Sequence, residues 1–497
     1  MKKPLFIKNA VILTASSVVL RLLGVIFKVW VAAKVGGEGM GVYQLVLSVY
    51  WFFCAFSGTG VSVAVTRLCA DCIAIKRDFR PVIKKAVIIT AFTAVFSAAI
   101  MFFFSSFISK TAVGSEDYSL CFKVLSLSIF PVGITSVIRG FFFSVRRAGV
   151  SAASGVFEQT ARIIIAYILV RIFSPYGIVA VCTALTVGDT ASEILCMLWL
   201  LINYKIKVKK YIGEMPPFIC GWHKVLRISF PLTAGRYLSM ALRTAENITV
   251  PRGLKKSGIN YSSALETFGN IKAMALPVLL FPSSFFSAVS SLVVPEISSA
   301  AAARHTLVVK GITENIIKLT SIVSVIFAAT FAFCGKEIGE LLYKSTGVGI
   351  LLCVLAPLVP LMFIDVVSDG LIKGLDCQRF SFWCSVSDSA IRLLAVIFLL
   401  PAYGIFGYLL IMYFSNFYTA SLSLFMLIKK SKGSIDTIKS VFLPLVFALI
   451  ISKSTQVLLS CIGLSGAIFV SAYYIITFAL YFALVFLFRL VTVEDLR

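Results

Sequence analysis

The chain has 497 residues, of which 59% are hydrophobic and 14% are charged, and its mean hydropathy is +0.98. Average soluble domains are about 45–50% apolar and about 25% charged, so this composition excludes an ordinary soluble protein and predicts a polytopic membrane protein. The formal net charge is +24. Because cytoplasmic loops of membrane proteins collect Lys and Arg, we interpret this charge through membrane topology and expect no nucleic-acid binding.

Apolar stretches of about 20 residues, enough to cross a bilayer as a helix, recur along the whole sequence. They predict an all-α polytopic membrane protein with about fourteen transmembrane helices. The predicted spans are 10–33, 41–66, 82–108, 118–143, 150–172, 176–203, 225–250, 265–294, 312–334, 347–372, 381–400, 403–428, 437–461 and 465–489. The first stretch follows Met1-Lys-Lys as a signal peptide would, but Arg21 and Lys28 interrupt it, so we interpret it as an uncleaved helix.

The distribution of basic residues among the loops predicts the orientation. An even number of spans places both termini on one side of the membrane. The loops at 67–85, 204–227 and 429–432 share that side and are rich in Lys and Arg. Since positively charged loops stay inside, we predict a multi-pass protein of the cell membrane with both termini in the cytoplasm.

Basic residues also occur inside the apolar stretches. Arg21 and Lys28 lie seven residues apart in the first predicted helix, and Arg236 and Arg243 repeat this spacing in the seventh. A cation at membrane depth costs several kcal/mol and usually faces a protein interior or a wet cavity. We therefore predict cavity cations that bind an anionic solute or lipid headgroup. The alternatives are an acidic partner on another helix for Arg21, snorkelling for Lys28, and a local pair between Arg243 and Glu246.

Two acid–base pairs lie within single predicted helices. Glu158 and Arg162 are four residues apart, as are Asp388 and Arg392, and this spacing brings both side chains to one helix face. We favour structural braces, because a local partner lowers the cost of placing a charge in the membrane. The alternative is a proton or sodium site that resets a transporter, with Asp388 as the best candidate.

Asp365 and Asp369 share one face of the tenth predicted helix, and we assign them no local partner. They are therefore candidates for carboxylates that couple transport to an ion. Arg139 and Lys373 precede glycine at the predicted cytoplasmic ends of helices 4 and 10. We interpret them as helix caps or anchors for anionic lipid.

The sequence predicts no metal site and no cofactor. The twelve cysteines are scattered through apolar stretches, where free thiols behave as small hydrophobic groups. Cys69 and Cys72 form a C-x-x-C without a second pair nearby, and His223 and His305 are the only histidines. No Gly-x-x-x-x-Gly-Lys-Ser/Thr motif is present, so an ion gradient or the membrane potential remains as the energy source.

An internal repeat divides the chain. Ile138-Arg-Gly-Phe, the Glu158–Arg162 pair and Tyr176-Gly-Ile-Val-Ala recur in order as Ile372-Lys-Gly-Leu, the Asp388–Arg392 pair and Tyr403-Gly-Ile-Phe-Gly. The copies lie an even number of spans apart, so both insert in the same direction, as in transporters with parallel repeats. We predict a six-helix lobe at 1–210, a second at 211–432, and two additional helices at 433–497.

Three blocks of sequence resemble one known family. They are Arg21-Leu-Leu-Gly with Gly37-Glu-Gly-Met-Gly-Val-Tyr-Gln-Leu and Ser57-Gly-Thr-Gly, then Pro231-Leu-Thr-Ala-Gly-Arg-Tyr with Pro251-Arg-Gly-Leu, and Phe268-Gly-Asn-Ile-Lys with Leu292-Val-Val-Pro-Glu-Ile-Ser. Together they resemble the stage V sporulation protein B and polysaccharide-exporter family. That family belongs to the multidrug/oligosaccharidyl-lipid/polysaccharide flippase superfamily and is related to MurJ-type lipid II flippases.

The resemblance implies two six-helix lobes around a central cavity and alternating access that moves an undecaprenyl-linked glycan precursor outward. It implies a polyprenyl-diphosphate-linked glycan as partner, with membrane lipid and the cell-wall or sporulation machinery beside it. Arg21 and Arg236 match the positions at the start of each lobe that would engage the lipid diphosphate. On this interpretation the protein is not an enzyme. The alternatives are a cation-coupled multidrug antiporter of the same fold and, less favoured, a membrane glycan polymerase, whose large catalytic external loop is not predicted here.

Overall fold

The computed structural model describes residues 3–208, 216, 221–433 and 438–490, without the side chains of residues 3–11, 59, 288, 291 and 292. The described residues form sixteen α-helices and no β-strand. Short 3-10 or π-helical turns adjoin several of them. In chain order the helices α1–α16 are Lys3–Ala74, Arg80–Phe103, Ser105–Ala112, Ser119–Ser144, Ala148–Phe173, Ile178–Val208, Trp222–Lys256, Tyr261–Gly269, Leu276–Leu280, Ser283–Ala302, Thr306–Tyr343, Thr346–Leu355, Val359–Gly374, Gln378–Ser431, Leu443–Cys461 and Gly466–Leu487.

Glycine interrupts the two longest helices. Gly36 in α1 has φ 66° and ψ −171°, and Gly404 in α14 has φ 56° and ψ −136°. Glycine reaches positive φ without the steric clash that a Cβ atom would cause. Each of these helices therefore consists of two segments, one on either side of its glycine.

The predicted membrane architecture agrees with these helices. By length and composition, nine helices of the described residues are long and apolar enough to cross a membrane. When α1 and α14 each count as two spans, and α2–α3, α8–α10 and α12–α13 each count as one, the described helices are consistent with the prediction of about fourteen. The all-α polytopic class is confirmed.

The first of two compact units comprises Met1–Phe27 and Gly41–Arg252. Its core includes Phe79 and Phe141, whose ring centroids lie 5.1 Å apart. The second segment of α1 packs closely on α4. A Cβ atom at Gly140 would lie 2.6 Å from the Ser62 carbonyl oxygen, so only glycine fits at this contact. Thr66 donates a 3.0 Å hydrogen bond to the Gly140 carbonyl oxygen at the same contact.

The second unit comprises Lys28–Met40 and Gly253–Arg497. Helices α15 and α16, which follow the sequence repeat, pack against α11 in this unit. The Tyr481 hydroxyl donates a 2.8 Å hydrogen bond to the Ile322 carbonyl oxygen, and the rings of Phe327 and Phe478 lie 5.1 Å apart. The two additional helices therefore extend the core of the second unit.

Candidate functional site

The first segment of α1 carries a polar face through an apolar stretch. Thr14, Ser17, Arg21, Gly24 and Lys28 follow one another at three- and four-residue intervals, which places them along one side of the helix. Arg21 is exposed and Lys28 is half-buried. Arg21 belongs to the first compact unit, and Lys28 belongs to the second.

Helix α7 carries the other two predicted cations. Arg236 and Arg243 are both exposed and both belong to the first unit, whereas Glu246 is buried. Polar contacts hold α7 to the second segment of α1. Thr244 donates a 3.0 Å hydrogen bond to the Ser48 carbonyl oxygen, and Asn247 donates a 2.9 Å bond to the Ser48 hydroxyl. The arginines are thus presented on a helix anchored in the first unit.

A buried charge cluster joins α4, α5 and α6 in the first unit. The Arg162 guanidinium lies 2.9 Å from Asp189, 3.1 Å from Glu158 and 3.6 Å from Glu193. Arg139 forms a second ion pair with Glu158 at 2.8 Å. We call these five residues the first-unit cluster. The predicted Glu158–Arg162 pair is present, but it is one part of a network across three helices.

One prediction about this cluster is corrected by the structure, and two members of the cluster were not predicted. Arg139 was expected to cap a helix or anchor lipid; instead it pairs with Glu158, because the packing of α4 on α5 brings the two together. Asp189 and Glu193, each 4% exposed, were missed altogether. Their four-residue spacing in the apolar helix α6 is the signal that identifies them.

Tyr43 completes the surroundings of Asp189. Its buried hydroxyl donates a 2.7 Å hydrogen bond to the Asp189 carboxylate from the second segment of α1. Arg139 also donates a 3.0 Å bond to Ser154. A buried carboxylate needs such partners, since an unpaired charge in a low-dielectric interior is strongly disfavoured. The cluster therefore ties four helical segments together.

A second group of carboxylates, half-buried, lies on α13 and α14 in the second unit. Asp365 accepts a 2.9 Å hydrogen bond from Ser423, Asp369 accepts one from Ser381, and Asp388 accepts one from Ser415. Asp365 is also close enough to Asp369, Asp388 and Lys373 to interact electrostatically with each. These three aspartates and Lys373 form what we call the second-unit cluster.

The local partner of Asp369 is a correction to the sequence interpretation. Asp369 was expected to have none, and Lys373 was assigned to a helix end. In the structure the Lys373 ammonium forms a salt bridge with Asp369, four residues earlier on α13. The i,i+4 spacing explains the contact. The pair predicted between Asp388 and Arg392 stays a prediction.

The two clusters occupy corresponding helices of the sequence repeat. The first uses α4, α5 and α6, and the second uses α13 and the first segment of α14, with serine donors from the second segment of α14. The first combines three carboxylates with two basic side chains, and the second combines three carboxylates with Lys373, so both carry more negative than positive charge when all groups are ionised. Within the described residues, no three or more His, Cys, Asp or Glu side chains are arranged to hold a metal ion. The clusters are ion-pair and hydrogen-bond networks.

The fold, its broken helices and its charges inside apolar spans define a polytopic membrane protein. The model of a family described as polysaccharide biosynthesis protein matches residues 6–301. The chain belongs to that family, which confirms the resemblance inferred from its sequence motifs.

Similar proteins include two from Bacillus subtilis (strain 168). The chain is 25% identical over 421 residues to stage V sporulation protein B, a match that covers 82% of this chain and 80% of that protein. It is 23% identical over 190 residues to lipid II flippase MurJ, covering 35% of each.

Two solved structures have a similar fold. Lipid II flippase MurJ in an inward closed conformation matches with a TM-score of 0.71 and 13% identity, over 96% of this chain and 98% of that one. An inward-facing multidrug resistance MATE family transporter matches with a TM-score of 0.60 and 15% identity, over 85% and 98%. At these identities the matches show the shared fold alone.

Proposed function

We propose that this protein is an alternating-access flippase. Its cargo is an undecaprenyl-linked oligosaccharide or a lipid II-like peptidoglycan precursor, exported across the cytoplasmic or forespore membrane in spore cortex or cell-wall synthesis. Membership in the polysaccharide biosynthesis family and the relation to stage V sporulation protein B support this cargo class. The protein moves its cargo and does not alter it chemically.

The observation that carries the proposal is the exposure of two arginines in the first unit, Arg21 in the apolar first segment of α1 and Arg236 on α7. A guanidinium stays charged at any physiological pH, and its planar fork matches the oxygens of a phosphate. Both side chains are therefore suited to a lipid diphosphate, with Lys28 and Arg243 extending the basic path along α1 and α7. The polyprenyl tail stays in the lipid while the polar headgroup crosses.

The proposed moving bodies are the six-helix lobes at 1–210 and 211–432, with 433–497 as an addition to the second. In this scheme the first- and second-unit clusters hold each lobe together during the movement. Coupling to an ion gradient would use a carboxylate of one cluster, with Asp365 and Asp388 as candidates because each accepts a hydrogen bond from a serine hydroxyl group on α14. The membrane potential is the alternative energy source, at about 2.3 kcal/mol per charge per 100 mV.

A cation-coupled multidrug antiporter is the second candidate. The fold shared with the MATE family transporter and the excess of carboxylates in both clusters favour it. However, the exposed side chains of Arg21, Arg236 and Arg243 are basic, and they would repel an organic cation. Accumulation of a cationic dye in proteoliposomes, driven by a proton or sodium gradient, separates this function from lipid flipping.

The deciding experiment is translocation of lipid II and of other undecaprenyl-diphosphate glycans in proteoliposomes. We compare the unchanged protein with Arg21→Ala, Arg236→Ala and the control Arg304→Ala, which removes an exposed arginine from the loop before α11. Loss of one charge-assisted phosphate contact corresponds to a rate reduced roughly tenfold or more. We expect that reduction for Arg21→Ala and Arg236→Ala, and no change for Arg304→Ala.

Equal inserted amounts of each variant, measured in the same vesicles, are the condition for the comparison. Transport that is unchanged by both substitutions would contradict the role of the arginines. Absence of transport for every undecaprenyl-linked glycan, together with gradient-driven dye uptake, would favour the antiporter.

A further inference from the structure

The second unit contains a cavity that no member of either charge cluster lines. It lies where α11 and α15 end and α16 begins, and it has a volume of about 760 Å³. Ligand pockets usually measure about 300–1,000 Å³, so this cavity is large enough for a small molecule or a lipid headgroup. We call it the α11–α15–α16 cavity.

Four charged side chains line this cavity without pairing with one another. Glu337 and Glu340 come from α11, Lys344 follows α11, and Lys453 comes from α15. Among the described residues no salt bridge joins any of the four. Two carboxylates and two ammonium groups line one cavity, so the site has no net charge when all four are ionised. It offers negative and positive groups to the same ligand.

Individual contacts strengthen this interpretation. The Glu337 Oε2 atom is buried and has no hydrogen-bond partner among the described residues. The Lys453 ammonium is held 3.2 Å from the Gln456 side-chain oxygen and 5.5 Å from the centre of the Phe333 ring. A buried carboxylate oxygen without a donor is strongly disfavoured, so a bound N–H group would stabilise it.

The remaining lining is apolar, and the cavity lies at the ends of three membrane spans. Leu341, Val457, Leu464 and Phe469 contribute hydrocarbon surface beside the charged groups. Helices α11 and α16, and α15 together with the turn that precedes it, are each long and apolar enough to cross a membrane. Because the ends of spanning helices lie near the lipid headgroups, we infer that depth for the cavity. A ligand here meets both hydrocarbon and charged groups, as an amphiphile does.

We propose that the α11–α15–α16 cavity binds the headgroup of an aminophospholipid, such as phosphatidylethanolamine. The primary ammonium donates to Glu337 and Glu340, the phosphate contacts Lys453 and Lys344, and the glycerol and first methylene groups lie against the apolar lining. A zwitterion carrying N–H donors matches the balanced charge and the unpartnered oxygen. An anionic lipid would leave the two glutamates unpaired, and an organic cation would leave the two lysines unpaired.

The experiment measures lipid binding to the purified full-length protein by native mass spectrometry with three lipids of equal chain length. We expect phosphatidylethanolamine to bind about tenfold more tightly than phosphatidylcholine, which lacks N–H donors, and than phosphatidylglycerol, which lacks the ammonium. Glu337→Gln and Lys453→Gln should each reduce phosphatidylethanolamine binding about tenfold, the effect of losing one charge-assisted contact. Glu314→Gln, at the other end of α11 beside Lys310, is the matched control and should bind as the unchanged protein does.

The three-lipid comparison on the unchanged protein does not depend on any variant folding, and size-exclusion chromatography identifies a variant that fails to fold. Equal binding of the three lipids would overturn the proposal, as would binding that neither Glu337→Gln nor Lys453→Gln weakens. If soluble phosphoethanolamine displaces the lipid at equal concentration, the ligand need not be a lipid, and that part of the proposal is wrong. These measurements involve no transport, so their outcome is independent of the proposed flippase activity.

Discussion

Arg162 is the residue on which the first-unit cluster depends. Its guanidinium contacts Asp189, Glu158 and Glu193, and it is the shared partner of all three carboxylates. Removing one partner of a buried ion pair is more destabilising than replacing the whole pair by apolar residues, because the remaining charges stay unpaired in a low-dielectric interior. We therefore expect loss of Arg162 to lower the stability of the folded protein, whatever its effect on transport.

We predict that Arg162→Met lowers the free energy of unfolding by about 3–5 kcal/mol, the range for breaking a buried charge pair. Equilibrium unfolding in mixed detergent micelles measures this difference. The control is Arg171→Met, a substitution of an exposed arginine on the same helix, which should change stability by less than about 1 kcal/mol. Equal stabilities for the two variants would mean that the cluster does not brace the helices.

At the residue scale, one ion pair of this cluster could be predicted from the sequence and the others could not. The Glu158–Arg162 pair was predictable because both members lie on one helix at a fixed spacing. Asp189 and Glu193 reach Arg162 only through the packing of α5 on α6, which no local pattern specifies. The same reason explains why the Arg139–Glu158 pair was not foreseen.

At the scale of helices, the two glycine breaks determine how long helical stretches become pairs of spans. Gly36 adopts a backbone conformation, with positive φ and ψ near 180°, that is essentially restricted to glycine. The next residue shows why small size matters there as well. A Cβ atom at Gly37 would lie 2.4 Å from the Asn270 side-chain oxygen and 2.8 Å from Glu266 Cγ within the second unit.

Gly36→Ala should destabilise the protein by about 1–3 kcal/mol, because alanine in this conformation is strained. Gly24→Ala, in the first segment of the same helix, provides a contrast of opposite sign. It has helical geometry and no atom within 4 Å of the added Cβ, so alanine should stabilise the protein by up to about 1 kcal/mol. Thermal unfolding of both variants in the same detergent measures the two changes in stability. A Gly36→Ala variant that is more stable than the unchanged protein would contradict the non-helical conformation at Gly36.

At the scale of the whole molecule, the predicted orientation follows from the asymmetry of the basic loops. If both termini are cytoplasmic, the loop between α3 and α4 is external and the segment after α14 is internal. Alkaline phosphatase fused after Gly114 should then be active, and the same enzyme fused after Ser431 should be inactive. A fluorescent protein at the C-terminus should fluoresce in intact cells. The reverse pattern of phosphatase activity would invert the topology.

The sequence by itself determined the membrane class, the all-α fold, the approximate positions of the spans and the superfamily. It could do so because hydropathy is a local property, and a lipid environment requires every spanning segment to satisfy its own backbone hydrogen bonds. The family motifs added the expected cargo class.

Only the tertiary structure decided which charges meet. It joined Arg139 and Arg162 to three carboxylates, gave the aspartates of α13 and α14 their serine partners, and brought two glutamates and two lysines to one cavity. These contacts depend on helix rotation and on packing between segments distant in sequence. Successive side chains point about 100° apart around a helix, so spacing along the chain specifies which residues are neighbours within one helix. It does not specify how that helix is rotated against the next one, and therefore not which charges meet across helices.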